Sequence, residues 1–258
     1  MTGRDIYLYS DVPDAAPVAL LGGRVTLYLP EKGYRAAIDP VLLAAAVPAE
    51  PGQRVLDLGC GAGAALLCLA VRCADVGLTG LEIQADAARW AGAGIAAGGW
   101  ADRARVVQGD VADIAAAGLL PNSFDHVMTN PPFWELGRHS ASPVAGKATS
   151  HGEGAGDLAG FIQAALRLLK SGGSLTVIFP AERLASLLAL MEGRFGDIAV
   201  LPLWPRAGVA AKRVIVQGRR DRKSPLRLLP GLVLHGPGQG YTPETEAILR
   251  DAAPLALS

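Results

Sequence analysis

The chain reads as an α/β protein built on a doubly wound, seven-stranded, mostly parallel sheet whose last strand is antiparallel. Three observations carry this reading. From Arg54 onward, short apolar strands alternate with Ala-rich helices, the pattern of βαβ units that covers a parallel sheet on both faces. A glycine-rich turn, VLDLGCGAGAA at Val55 to Ala65, follows the first of these strands and opens a helix. Near the end, DIAVLPLW and KRVIVQGRR are separated by a Pro/Gly/Ala loop instead of a helix, which suits an antiparallel hairpin closing the sheet.

The elements follow in order. Residues 1–50 form a leading unit in which GGRVTLYLPEKGYR supplies strand-forming residues after a Gly-Gly turn. Asp39-Pro40 is expected to cap a short helix, VLLAAAV, with proline at its first position. Residues 51–220 form the core. Its strands are RVLDLG, DVGLTGLEI, ARVVQGD, FDHVMTN and SLTVIF, and its helices include Ala62 to Arg72, Gln84 to Ala97 and Gly156 to Lys170. A further helix, AERLASLLALMEGRFG, precedes the terminal hairpin. Residues 221–258 form an extension in which LRLLPGLVLH keeps the β style and TPETEAILRD reads as a helix capped by Thr242.

Composition sets the outer limits. A length of 258 residues with 50% hydrophobic and 19% charged residues gives ample material for one sizeable core. The formal net charge is zero, so a polyanionic partner needs a local basic surface. Cys60, Cys68 and Cys73 lack metal or disulfide spacing and read as reduced packing residues. Neither a secretory leader nor an apolar run of membrane-spanning length is evident, so a cytoplasmic protein without a metal is expected.

The glycine turn lets the backbone approach a ligand closely, and the amides of the following helix start favour polar or anionic groups. Gly59, Gly61 and Ala64 also satisfy a relaxed dinucleotide fingerprint, so the glycines alone do not separate NAD from another adenosine ligand. Three acids add specificity: Asp57 before the turn, Glu82 ending the second strand and Asp110 ending the third. In a doubly wound sheet these strand ends lie side by side along the ligand crevice. A carboxylate at the second can accept ribose hydroxyls, and one at the third an adenine amino group; the alternative is that each acid caps the next helix.

DLGCGAG, Glu82 and Asp110 together resemble the class I S-adenosylmethionine-dependent methyltransferases, whose Rossmann-like sheet ends in an antiparallel strand. The resemblance implies that Asp57 and the backbone of Gly59, Cys60, Gly61 and Gly63 hold the methionine part of S-adenosyl-L-methionine. It implies Glu82 for the ribose and Asp110 for the adenine, with Ile83, Val111 and Asn130 beside them in the cofactor set.

The fourth strand delivers Asn130-Pro131-Pro132-Phe133 to the same crevice. A planar amino group is a poor nucleophile because its lone pair is conjugated. The Asn130 side-chain oxygen and the Pro131 carbonyl can each accept one amino hydrogen, which aims the lone pair at a methyl sulfonium. The prolines stiffen that geometry, and Phe133 supplies a flat face for stacking. The departing thioether is neutral, so no general acid is required. Asn130 to Phe133 resembles the signature of amino-group methyltransferases.

The acceptor follows from architecture. GYRAAIDPVLLAAAVP ahead of the glycine turn, and KRVIVQGRRDRKSPLRLLPGLVLH with YTPETEAIL at the end, resemble the small bacterial tRNA1(Val) adenine-N6 methyltransferases. That resemblance implies RNA as partner and adenine N6 beside the anticodon as target. Guanine N2 in rRNA and a release-factor glutamine remain alternatives. Between 204 and 227 stand Arg206, Lys212, Arg213, Arg219, Arg220, Arg222, Lys223 and Arg227 against the single acid Asp221, a basic surface suited to a phosphate backbone. Of these, Lys212, Arg213, Arg219 and Arg220 join Phe133, Trp134 and Lys147 as the expected substrate-binding residues. The segment from Gly137 to Gly156, with Arg138, His139 and His151, reads as a loop folding over the target base. Tyr34, Arg35 and the short helix near Asp39 are expected to lid the cofactor.

Overall fold

The computed structural model describes residue 12 and residues 14–30, 38–132 and 154–257. Strands β1 (Ala16–Leu20) and β2 (Val25–Leu29) pair as an antiparallel hairpin. Val25, Leu27 and Leu29 of β2 point into the main apolar cluster, while Tyr28 points the other way against Val12 and Ala93. Helix α1 (Asp39–Ala46) is apolar on every side and buried throughout after its first residue, as an interior helix should be. Asp39 does not cap it. Ile38 occupies the capping position without a side-chain bond, and the Asp39 carboxylate instead accepts from Arg213 Nε at 3.0 Å.

The core runs β3 (Arg54–Leu58), α2 (Ala64–Arg72), β4 (Gly77–Glu82), α3 (Ala85–Ala97), β5 (Ala104–Gln108), β6 (Phe124–Thr129), α4 (Gly154–Leu168), β7 (Leu169–Pro180), α5 (Leu184–Met191), β8 (Phe195–Trp204) and β9 (Arg213–Arg220). These seven strands lie in the order β5-β4-β3-β6-β7-β9-β8. Every pairing is parallel except the two made by β9. The order reverses between β3 and β6, and the crevice outside the strand ends at such a switch point is where ligands bind in this architecture. Two dipeptide strands, β10 (Arg227–Leu228) and β11 (Leu232–Val233), pair with the outer edge of β8 and bring the sheet to nine strands. Helix α6 (Pro243–Asp251) begins as expected, with Thr242 Oγ1 accepting from the Thr245 amide.

Side-chain alternation along the strands feeds two cores. Val55, Leu78, Met128, Ile178 and Ile215 pack with α1, α2, α3 and α6 on one face. Leu56, Leu58, Val127, Val177 and Phe179 pack with α4 and α5 on the other. The N-terminal hairpin and the tail after α6 share the first core, and the Leu255 amide donates to Ala45 O. None of the described helices is long and apolar enough to cross a membrane.

Three boundaries differ from expectation. Helix α2 starts at Ala64 because Gly63, at φ +87°, still belongs to the left-handed turn. Strand β7 begins at Leu169, directly after α4, although KSGG reads as a turn. A Cβ on Gly173 would lie 2.7 Å from Asp125 O, so glycine is what lets β7 approach β6 there. Helix α5 stops at Met191, and the residues around Phe195 join β8.

The direction of β9 also divides the basic run. Arg213 pairs with Pro180 at the crevice end of β7, while Arg219 pairs with Ser174 near its start. Six residues of strand separate the two positions by roughly 20 Å. Arg219 and Arg220 therefore stand at the pole opposite the crevice. There Arg219 donates to Gly172 O, and Arg220 to Asn122 Oδ1 and Leu169 O. Arg206 is likewise engaged, with Gly236 O and Gly238 O. The continuous basic surface expected from composition is two separate patches, and only Lys212 and Arg213 of the four expected contacts lie at the crevice end.

Candidate functional site

The parallel strands bring Asp57 and Asn130 to one cleft, with Glu82 behind its Gly61 wall. Asp57 is in register with Gly80 of β4 and Met128 of β6, and Glu82 with Gln108 of β5. Thr129 Oγ1 donates to Leu58 O at 2.8 Å in the interior, which ties the end of β6 to β3 just before Asn130. Asp57, Cys60 and Asn130 line the cleft with Leu27 and Leu29 of the N-terminal hairpin and Pro40 of α1. Leu27 and Leu29 were not singled out from sequence, their only signal being the apolar alternation of β2, whereas Pro40 opens the short helix expected to lid the cofactor.

Glu82 organises the glycine turn. Its Oε2 accepts from the Gly61 amide at 2.8 Å and its Oε1 from the Gln84 amide at 2.9 Å. The Gly59 and Cys60 amides both donate to Leu81 O, at 2.8 and 3.0 Å. A Cβ on Gly61 would meet nothing within 4 Å, so this residue faces open space at φ +55°. Phe161 of α4 backs the turn, 3.0 Å from where a Cβ on Gly59 would stand. No local signal in the sequence marked that contact.

Two buried oxygens of the cleft, Asp57 Oδ2 and Asn130 Oδ1, have no hydrogen-bond partner among the described residues. Such groups are costly unless something completes them. Burial, reinforced by the charge of Glu82 and opposed by the Leu66 amide, pushes the Asp57 carboxyl up to about 7. The Cys60 thiol is pushed up by burial in the same place. Asp110 is exposed at the end of β5, and its Oδ1 accepts from the Ala112 amide at 2.8 Å, capping the turn Val111–Asp113. The capping alternative thus holds for one of its oxygens. Ile83 is 57% exposed, unusual for a large apolar residue, and Val111 is half-buried. Pro131 is buried and Pro132 exposed. Phe133, Trp134 and Lys147 lie outside the described residues, as do Tyr34, Arg35, Arg138, His139 and His151.

The family model for the methyltransferase small domain matches residues 37–202, from just ahead of α1 into β8. The chain belongs to the methyltransferase small domain family. A relative from Erwinia tasmaniensis, named tRNA1(Val) (adenine(37)-N6)-methyltransferase, is 32% identical over 220 residues, covering 83% of this chain and 85% of that one. Among solved structures, a predicted O-methyltransferase from Agrobacterium tumefaciens matches with a TM-score of 0.72 at 26% identity, over 84% of this chain and 98% of that one. A 16S rRNA methyltransferase from T. thermophilus, in complex with AdoMet and guanosine, shares the fold at a TM-score of 0.54 and 23% identity, over 80% and 50% of the two chains.

The methyltransferase small domain protein is thus an S-adenosylmethionine-dependent enzyme with the class I fold. Its cleft suits that cofactor. Asp57 lines it with Glu82 buried behind the Gly61 amide, no cationic side chain lines it among the described residues, and a ligand bearing an ammonium and a sulfonium complements this negative charge. The glycine turn leaves backbone room beside it.

Proposed function

We propose that the chain methylates the exocyclic N6 of an adenine in tRNA, beside the anticodon, with Asn130 as the acceptor clamp. The observation that carries this reading is the buried Oδ1 of Asn130, which lines the cofactor cleft and has no partner among the described residues. An amino group is the ligand that completes an acceptor oxygen there, and the adjacent Pro131 carbonyl takes the second amino hydrogen. The name of the Erwinia relative supports adenine N6 and tRNA.

Asp57, once ionised, pairs with the ammonium of the cofactor. Glu82 retains lone pairs beyond those given to Gly61 and Gln84, and these accept the ribose hydroxyls. Asp110 keeps one oxygen for the adenine amino group, and Ile83 and Val111 cover the adenine faces. When bound, S-adenosylmethionine would supply an electrophilic methyl, its S–C bond giving way to the new N–C bond with a neutral thioether left behind and the displaced amino proton passing to solvent. Asn130 and Pro131 draw the target lone pair out of conjugation and fix its direction, a positioning effect worth roughly 7 to 11 kcal/mol in well-oriented systems. Phe133 and Trp134 stack on the target base, and Lys147, Lys212 and Arg213 hold flanking phosphates. Residues 1–50 lid the cofactor on a core of 51–220, and 221–258 extend its far edge.

Nucleoside mass spectrometry of tRNA and rRNA from a deletion strain tests the reading. N6-methyladenosine should vanish from one tRNA and return with the wild-type gene but not with Asn130→Ala. In vitro, that variant should lose about 100-fold or more in transfer rate while binding S-adenosylmethionine nearly as well. Unchanged RNA with loss of a methylated glutamine in release factor would overturn it, and loss of an N2-methylguanosine from rRNA would move the target.

A further inference from the structure

We propose a second site, for a phosphate group, at the pole of the sheet opposite the crevice, formed by Arg72, Arg219 and Arg227. They line a cavity of about 290 Å³ between the end of α1, strands β9 and β10 and the tail after α6. A guanidinium presents a rigid fork of donors that matches phosphate oxygens.

The cationic side chains are under-compensated. Asp197 is the one acidic side chain lining the cavity among the described residues, and it stands 3.7 Å from Arg219 and 3.6 Å from Arg227. Both are ion pairs longer than a direct hydrogen bond, and Arg219 and Arg227 otherwise donate to the neutral carbonyls of Gly172 and Leu257, which leave their charge uncompensated. Among the described residues, three guanidiniums face one carboxylate side chain around the cavity. Arg72 bonds only the Val47 carbonyl among the described residues, and its Nε is buried without a partner. Burial disfavours the charged form of Arg72, a cost that a bound anion offsets.

Local backbone supports a built site. Asp197 adopts φ +50° within a bulge between Gly196 and Ala199, a conformation that non-glycine residues rarely take. The bulge aims the carboxylate between the two arginines. Gln217 is fixed in the wall by its bonds to Ala46 O and Thr176 Oγ1, and Val47 and Leu257 supply an apolar lining that limits screening. The phosphate can come from an RNA backbone or from a free phosphate ester, and the chemistry of the site is the same for both.

The test uses the full chain, with inorganic phosphate as probe and chloride at equal ionic strength as reference. Phosphate should raise the melting temperature saturably in the wild type. Arg227→Gln should weaken that binding about tenfold or more while S-adenosylmethionine binding, measured as a fold control, is retained. Asp197→Asn should bind phosphate several-fold more tightly, because it removes the competing anion; a purely structural carboxylate would give lower stability and no gain in affinity. Binding of tRNA then distinguishes the sources. A weaker affinity for Arg227→Gln, with a salt slope reduced by about one, assigns the site to the RNA backbone; unchanged tRNA binding assigns it to a free phosphate ester. The tRNA arm rests on the acceptor reading above, whereas the phosphate arm does not, so the two can fail separately. A phosphate shift no larger than that in chloride, with Asp197→Asn no tighter, overturns the site.

Discussion

Replacing Asp57 by asparagine should make the cofactor-free enzyme more stable in alkali and a poorer binder. The carboxyl titrates at about 7 because burial, and secondarily Glu82, disfavour its charge. A folded value raised this far above the unfolded one gives stability that is complete below the ordinary aspartate range and is lost as pH rises through about 7. By linkage, the ionised group costs the free protein about 4 kcal/mol at pH 8. Asparagine keeps the shape and carries no charge. Its melting temperature at pH 8 should exceed the wild type by up to about 10 °C, and the gap should close at pH 4. The same change removes a charge-assisted bond to the cofactor ammonium, which should weaken binding about 10- to 100-fold. Calorimetric melts at the two pH values, with titrations of S-adenosylmethionine, measure both effects. Equal melting temperatures at pH 8, or unaltered cofactor affinity, would show that Asp57 is not the strained acceptor described above.

The remaining predictions concern the turn and the interior. Glu82→Ala removes the acceptors of the Gly61 and Gln84 amides, so hydrogen exchange at both should quicken about tenfold or more in the cofactor-free protein; unchanged protection would mean that the turn holds its own shape. His126 lies between Ser174 Oγ and Gln53 Oε1, each at 2.8 Å, and burial pushes it down to about 4. Its folded value is depressed, so the stability it confers is present above the ordinary imidazole range and lost as pH falls through about 4. Urea midpoints at pH 7 and pH 4.5 should therefore show a difference of about 2 to 3 kcal/mol between wild type and His126→Gln in their response to acid.

Much of the site was legible because a doubly wound sheet gathers its strand ends. Once Asp57, Glu82 and Asn130 are each assigned to a strand terminus, topology alone brings them near one another: Asp57 and Asn130 line the cleft, and Glu82 holds the Gly61 amide of its wall. Contacts over long sequence distances were not legible. Asp39 before a proline looks like a cap, and nothing near it reveals that Arg213 competes for its carboxylate. Asp110 was readable as ligand or cap, and local sequence cannot say which of its oxygens a neighbouring amide takes. The basic run misled for a different reason. Charge counted along a chain ignores strand direction, and one antiparallel strand sends Arg213 and Arg219 to opposite poles.

The two dipeptide strands beside β8 have a consequence for self-association. A long, exposed strand edge templates pairing with another chain, whereas an edge covered in two short pieces does not. Here β10 and β11 occupy the β8 edge with Pro230 between them, and Leu229 donates to Val200 O across the gap. The indole of Trp204 clasps Pro230 O at 3.0 Å, holding the cover in place. The segment from Arg227 to Val233 thus acts as a guard strip: removing it would uncover the backbone of β8 along an apolar strand and invite edge-to-edge aggregation.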